Sequence, residues 1–188
     1  MNTTSVSLLE RLRLPAEQEP AWNRFVQLYT PLLYHWARRL GMPSADAADL
    51  VQEVFALLVR ELPLFVYDPG KSFRGWLRTV TLNKWRDLGR RRAAAPAGGD
   101  AGLADAPAAD DVASFDEAEY RAHLVKRALQ LMQAEFHPTT WKACWEYVVA
   151  DRPAADVARE LGVTVNAVYL AKSRVLARLR QELEGLLD

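Results

Sequence analysis

Between Arg74 and Arg92 stand Arg74, Arg78, Lys84, Arg86, Arg90, Arg91 and Arg92, against a single acid, Asp87. Phe73, Trp76 and Trp85 are interleaved with them. Guanidinium groups hold phosphate and aromatic faces stack on bases, so this pattern suits a single strand of nucleic acid. Phe73, Trp76, Leu77, Val80, Lys84 and Leu88 recur at helical spacing, so much of that stripe must be core. Arg78, Asn83, Arg86 and Arg90 fall on other faces. The turn over 67–72, with Tyr67, Gly70 and Lys71, offers a place for a base taken out of the stack.

A second basic run, Lys172, Arg174, Arg178 and Arg180, meets no acid between Val165 and Arg180. It belongs to the segment AADVARELGVTVNAVYLAKSR over 154–174, which has the spacing of a helix-turn-helix. Ala158 is small enough for a second helix to cross close by, and Gly162 tolerates the positive φ of the turn. Val157, Leu161, Val163, Val168 and Ala171 supply the inner apolar positions. The outward side of the second helix then carries Asn166, Ala167, Tyr169, Leu170, Lys172, Ser173 and Arg174. Such a helix enters the major groove, where Asn and Arg read adenine and guanine edges and Ala meets a thymine methyl. Leu170 has a second possible use, in packing the domain. Arg178 and Arg180, farther along, are placed to meet phosphate.

No catalytic constellation accompanies these stripes. His35, His123 and His137 are scattered on or beside different helices, and neither a Gly-rich phosphate loop nor HExxH spacing occurs. No enzyme activity, cofactor or metal is expected. The single cysteine, Cys144, excludes an intrachain disulfide framework and a cysteine-rich zinc site.

The elements that position the two stripes are helical. Apolar periodicity predicts helices over 21–40, 44–62 and 72–91, then over 115–136, 139–149, 154–161 and 165–187. Ser44 is read as the cap of the second, and Pro138 and Pro153 as marks of helix starts. From Ala93 to Ser114 the chain is Ala, Gly, Pro and Asp with almost no large apolar side chain, too little to offset its ordering entropy. The expected architecture is all-α. Two small helical domains, 1–92 and 115–188, are joined by a flexible acidic Ala/Gly/Pro/Asp linker over 93–114, and the C-terminal domain contains the helix-turn-helix.

The chain of 188 residues has 24 Lys and Arg against 24 Asp and Glu, a net charge of zero that hides opposed segments. A uniformly basic protein is excluded. The longest apolar run, Val54 to Val59, falls far short of the ~20 residues that span a bilayer. The N-terminus lacks the pattern of a signal peptide, and a cytoplasmic protein is expected.

Asp49-Leu50-Val51-Gln52-Glu53-Val54-Phe55, then Phe73-Arg74-Gly75-Trp76-Leu77 with Asn83, then a linker and a helix-turn-helix resemble the extracytoplasmic-function sigma factors of bacterial RNA polymerase. The resemblance rests on the order and spacing of three motifs and covers both domains. It implies that Asp49, Gln52 and Glu53 dock on the largest subunit of core polymerase. It implies that Asn83 and the 67–72 turn capture unpaired −10 bases, flanked by Tyr67, Lys71, Arg74, Trp76, Arg78, Lys84 and Arg86. The second helix of the helix-turn-helix then reads −35 duplex, and the linker threads toward the polymerase channels. Tyr169, Leu170 and Ser173 depart from the Arg or large aromatics common in relatives, so an unusual −35 sequence is implied. Implied partners are core RNA polymerase, promoter DNA and the anti-sigma factor that often holds relatives inactive. No small-molecule substrate and no membrane insertion are implied. Two other classes fit the residues alone: a dimeric helix-turn-helix regulator, and a helical protein that sequesters a partner without touching DNA.

Overall fold

The computed structural model describes residues 7–14, 18–62, 72–94 and 117–187. These form helices α1 (Leu8–Arg11), α2 (Gln18–Arg39), α3 (Ser44–Glu61), α4 (Phe73–Ala94), α5 (Glu117–Met132), α6 (Pro138–Val148), α7 (Ala154–Leu161) and α8 (Val165–Leu183). A 3-10 turn, Gln133–Glu135, follows α5. No strand occurs among the described residues, so the fold is all-α, as the periodicity predicts. Most of the expected linker lies outside the described residues; Ala93 and Ala94 close α4 instead.

Contacts group the chain into two compact units. One comprises the described residues of Leu8–Leu124 and Gly185–Asp188, the other those of Met1–Ser7 and Val125–Glu184.

In the first unit, Ala21, Phe25, Leu28, Tyr29, Leu32, Leu33, Trp36 and Ala37 form the buried stripe of α2, at the i, i+4, i+7 spacing of one helix face. Ala47, Leu50, Val51, Val54 and Leu58 of α3 answer it. Aromatic rings knit the three long helices together. Phe25 stacks on Tyr29 at 4.4 Å between centroids, and Phe73 of α4 meets Phe25 edge-on at 6.1 Å. Hydroxyls continue the chain of contacts. The Tyr29 and Tyr120 hydroxyls lie 2.9 Å apart, and Tyr120 donates to the Leu186 carbonyl at 2.8 Å. Tyr120 has one proton to give, so Tyr29 is the donor in the first of these bonds.

Three helix ends differ from expectation in ways that bear on their caps and turns. Ser44 is already helical and makes no cap; Pro43 takes the N-cap position with φ −55° and ψ 159°. The last helix stops at Leu183, not 187, and the turn after it uses Gly185 at φ 74°. Ser72 was expected inside a helix and instead caps α4, its Oγ accepting the Gly75 N–H at 3.0 Å.

The second unit has its own core of Ala143, Cys144, Ala154, Val157, Ala158, Val168, Ala171 and Val175. Its small side chains let α6, α7 and α8 approach closely. Lys142, Glu146, Arg152 and Glu160 add an ion cluster linking α6 to α7.

Candidate nucleic-acid and polymerase interfaces

The chain between α7 and α8 turns at Gly162, which sits at φ 64° and ψ 32°, where a side chain is disfavoured. Val163 N–H then returns to the Ala158 carbonyl at 3.0 Å, closing α7. Thr164 starts α8: its side chain accepts the Ala167 N–H at 3.1 Å. This cap was not read from the sequence, although a Thr just after the turn glycine and three residues before Ala167 is a usable signal. The expected helix-turn-helix geometry is therefore built by Ala158, Gly162 and Thr164 together.

Val168, Ala171 and Val175 point α8 into the core. Asn166, Tyr169, Leu170, Ser173 and Arg174 lie on its exposed side, with Ala167 and Lys172 half-buried at the margins. Leu170 is 46% exposed, which sets aside its packing role. Ala167, Leu170 and Arg174 border a shallow recess of about 120 Å³ that Thr139 and Thr140 of α6 close from behind. Cys144 is core, and burial pushes its thiol up, away from reactivity.

Arg178 is differently placed from its neighbours. It meets Glu135 at 2.9 and 3.3 Å and Glu182 at 2.6 Å. Burial opposes its charge, yet Glu182 and Glu135 outweigh burial and hold the guanidinium protonated more firmly than usual. Its charge is already matched inside the unit.

On α4, Phe73 and Leu77 are buried, and Trp76 rests half-buried against Phe73 at 5.6 Å. Asn83 and Arg86 are exposed, and Arg74 and Arg78 are half-buried. Lys84 reaches Glu53 of α3 at 3.3 Å, so one residue expected on DNA and one expected on polymerase form a pair. Arg74 lies 4.0 Å from Glu117. Asp49 and Gln52 are exposed on α3 beside Glu53. Tyr67 and Lys71 lie outside the described residues.

The family model described as Sigma-70 region 2 matches residues 25–95, which take in α3, α4 and most of α2. The curated relative CnrH, an RNA polymerase sigma factor of Cupriavidus metallidurans, is 29% identical over all of this chain and 97% of its own length. Its solved structure, in complex with the cytosolic domain of CnrY, aligns over 92% of each chain with 24% identity and a TM-score of 0.37. SigE of Mycolicibacterium smegmatis, named an ECF RNA polymerase sigma factor, is 38% identical over 39% of this chain and 27% of its own. The RNA polymerase sigma factor NccH of Alcaligenes xylosoxydans xylosoxydans is 33% identical over 98% of this chain and 97% of its own.

The chain belongs to the extracytoplasmic-function sigma factors.

As a member of this family the chain serves transcription initiation. No helix among the described residues is long and apolar enough to cross a membrane. The histidines of the sigma factor are less scattered than their sequence positions suggest. His35 and His123 rings lie 4.9 Å apart, and His35 Nε2 meets Glu119 at 2.8 Å, with Arg39 on the other carboxylate oxygen at 2.5 Å. The cluster belongs to the first unit and joins α2 to α5. Among the described residues no group of three or more His, Cys, Asp and Glu side chains is arranged to hold a metal.

Proposed function

We propose that this sigma factor docks on core RNA polymerase through Asp49, Gln52 and Glu53, reads −35 duplex with α8, and melts and captures the −10 element with α4. Asn166, Ala167, Tyr169, Leu170, Lys172, Ser173 and Arg174 are the −35 contacts of this reading. Asn83 and Arg86 are the exposed −10 contacts, with Arg74, Trp76 and Arg78 at the margin and Tyr67 and Lys71 in the preceding segment. Lys84, held by Glu53, and Arg178, held by Glu135 and Glu182, act by fixing their helices. The domains of this reading are 1–92 and 115–188, with 93–114 between them.

One observation supports it most. The inward side of α8 is wholly consumed by the core, while its opposite side is exposed and carries Asn, Ser and Arg but no acid. Net charge zero explains why polymerase is needed: the isolated chain has no overall field to hold DNA, so stable engagement requires added contacts. The protein works where polymerase and promoter are, in the cytoplasm.

The test is co-elution with bacterial core polymerase, then run-off transcription on fragments of its own genome. Stoichiometric binding with new specific start sites supports the reading. Tight duplex binding by the free protein with no polymerase binding would replace it with a conventional regulator.

A further inference from the structure

Tyr147 lies on α6, outside the recognition helix, yet it touches two of that helix's outward residues. Its ring meets Tyr169 edge-to-face at 5.6 Å and 71°, and the Lys172 Nζ sits 5.2 Å from its centroid. Tyr147 is itself packed against the core of the second unit. Tyr169 is 49% exposed, so it is reached from solvent although one side is backed by a ring. Tyr169 and Lys172 are three residues apart on α8 and therefore neighbours on one face.

We propose that Tyr147 is a positioning residue for promoter reading, presenting the Lys172 ammonium to a backbone phosphate and the Tyr169 ring to the adjacent base edge. The inference rests on α8 being the −35 reader. A lysine is a poor choice for a fixed contact because its four-carbon stem must be ordered on binding. The electron-rich face of an aromatic ring attracts the ammonium and limits its excursions beforehand. Among the described residues no carboxylate is paired with Lys172, so the charge stays available to phosphate. An ion pair would have neutralised it. The edge-to-face contact does the same for Tyr169, fixing a ring that would otherwise swing between rotamers on an open helix surface. Both side chains are thus ordered before DNA arrives, which reduces the entropy lost on binding.

The test uses the holoenzyme and duplex or forked promoter DNA, with affinity followed as a function of salt. Tyr147→Phe should bind like the parent, because the ring face and not the hydroxyl is used. Tyr147→Leu should bind about two- to ten-fold more weakly, the range expected from losing one ring contact and one pre-ordered side chain. Lys172→Ala should reduce the salt slope by ~1, as for any lost phosphate contact. In a Lys172→Ala/Tyr169→Ala background, Tyr147→Leu should cost nothing further. A full-sized Tyr147→Leu effect in that background would overturn the proposal, since the residue would then be acting only through the fold. Should Tyr147→Leu fail to fold, fluorinated phenylalanines at position 147 keep the shape and drain charge from the ring face. Affinity should then fall stepwise with fluorine number, and stay flat once Lys172 and Tyr169 are both Ala; the absence of any trend with both present would also overturn it. If Arg174→Ala and Asn166→Ala also leave promoter binding intact, the −35 assignment of α8 has failed. If they weaken it while Tyr147 shows no coupling, only the positioning role has failed.

Discussion

Arg178 separates what charge counting expects from what packing provides. Read as part of a basic stripe, it should touch phosphate, and its loss should weaken promoter binding and lower the salt slope by ~1. The structure gives it a different task. Its guanidinium spans Glu135 and Glu182, and the Glu182 side chain is only 1% exposed. Arg178→Met keeps the stem and removes the charge. Glu135, 36% exposed, regains water and adds little to the cost. Glu182 cannot do so. Removing the guanidinium from a fully buried pair costs ~3–5 kcal/mol where the remaining charge has no other contact; Arg178 is 23% exposed and Glu182 keeps a further contact, so ~2–3 kcal/mol is expected.

Denaturant unfolding of the full chain, with hydrogen exchange to localise the loss to α8, measures this. Arg178→Met/Glu182→Leu should recover most of the stability, because two apolar groups replace the pair and no buried carboxylate is left without its guanidinium. The pH dependence follows in sign. In the single variant a buried carboxyl without its guanidinium has a folded pKa raised above the unfolded one. Such a group contributes stability only below its unfolded pKa and loses it as pH rises through the folded value. The deficit should therefore be full at pH 7 and shrink on acidification. Unchanged stability together with a reduced promoter salt slope would refute the packing role and restore the phosphate contact.

Gly162→Ala should destabilise the second unit by ~1 kcal/mol, since a Cβ there meets nothing within 4 Å and only the φ of 64° is unfavourable; thermal unfolding checks this, and Gly162→Asn should lose less. Asn83→Ala should slow strand opening, read by base-analogue fluorescence at the −10 element, while −35 duplex binding survives. Asp49→Ala/Gln52→Ala should weaken core-polymerase binding without disturbing the Lys84–Glu53 pair, which a change at Glu53 would confound; normal assembly on size-exclusion would reject the docking face. Hydrogen bonds from Arg152, and then Lys142, hold the Glu160 carboxyl below its ordinary range. Their contribution is present above the unfolded pKa and lost as pH falls through the depressed one, so the stability gap between Glu160→Gln and the parent should close in acid.

The long helices were legible because their apolar spacing is the same information that packs them. The stripe Ala21, Phe25, Leu28, Leu32 and Trp36 cannot be buried in any other secondary structure. The helix-turn-helix was legible for the same reason, with Gly162 marking its turn. Caps were less so. Ser44 and Ser72 both precede apolar helices, but Pro43 already occupies the cap position before the first, leaving Ser44 inside the helix. A serine alone does not tell the two apart. Helix α1, at four residues, is too short for periodicity to register. The end of α8 could have been read, since Gly185 is the residue that most readily takes the left-handed conformation found there.

For the candidate site residues, exposure was legible only as far as local sequence determines it. Asn166, Ser173 and Arg174 follow from their position opposite Val168, Ala171 and Val175, a consequence of helical pitch alone. The partners of charged groups do not follow from pitch. Arg178 looked unpaired because the acid-free stretch was counted to Arg180; Glu182 lies one turn beyond Arg178, and Glu135 belongs to the turn after α5. Lys84 and Glu53 belong to different helices, as do His35 and Glu119. A side chain's contribution to a basic surface is its charge minus whatever the tertiary fold sets against it. On α8 that subtraction removes Arg178 and leaves Lys172, Arg174 and the exposed Arg180; under the proposed reading the first two lie nearer the end of the helix that enters the groove, and Arg180, farther along, is left for phosphate.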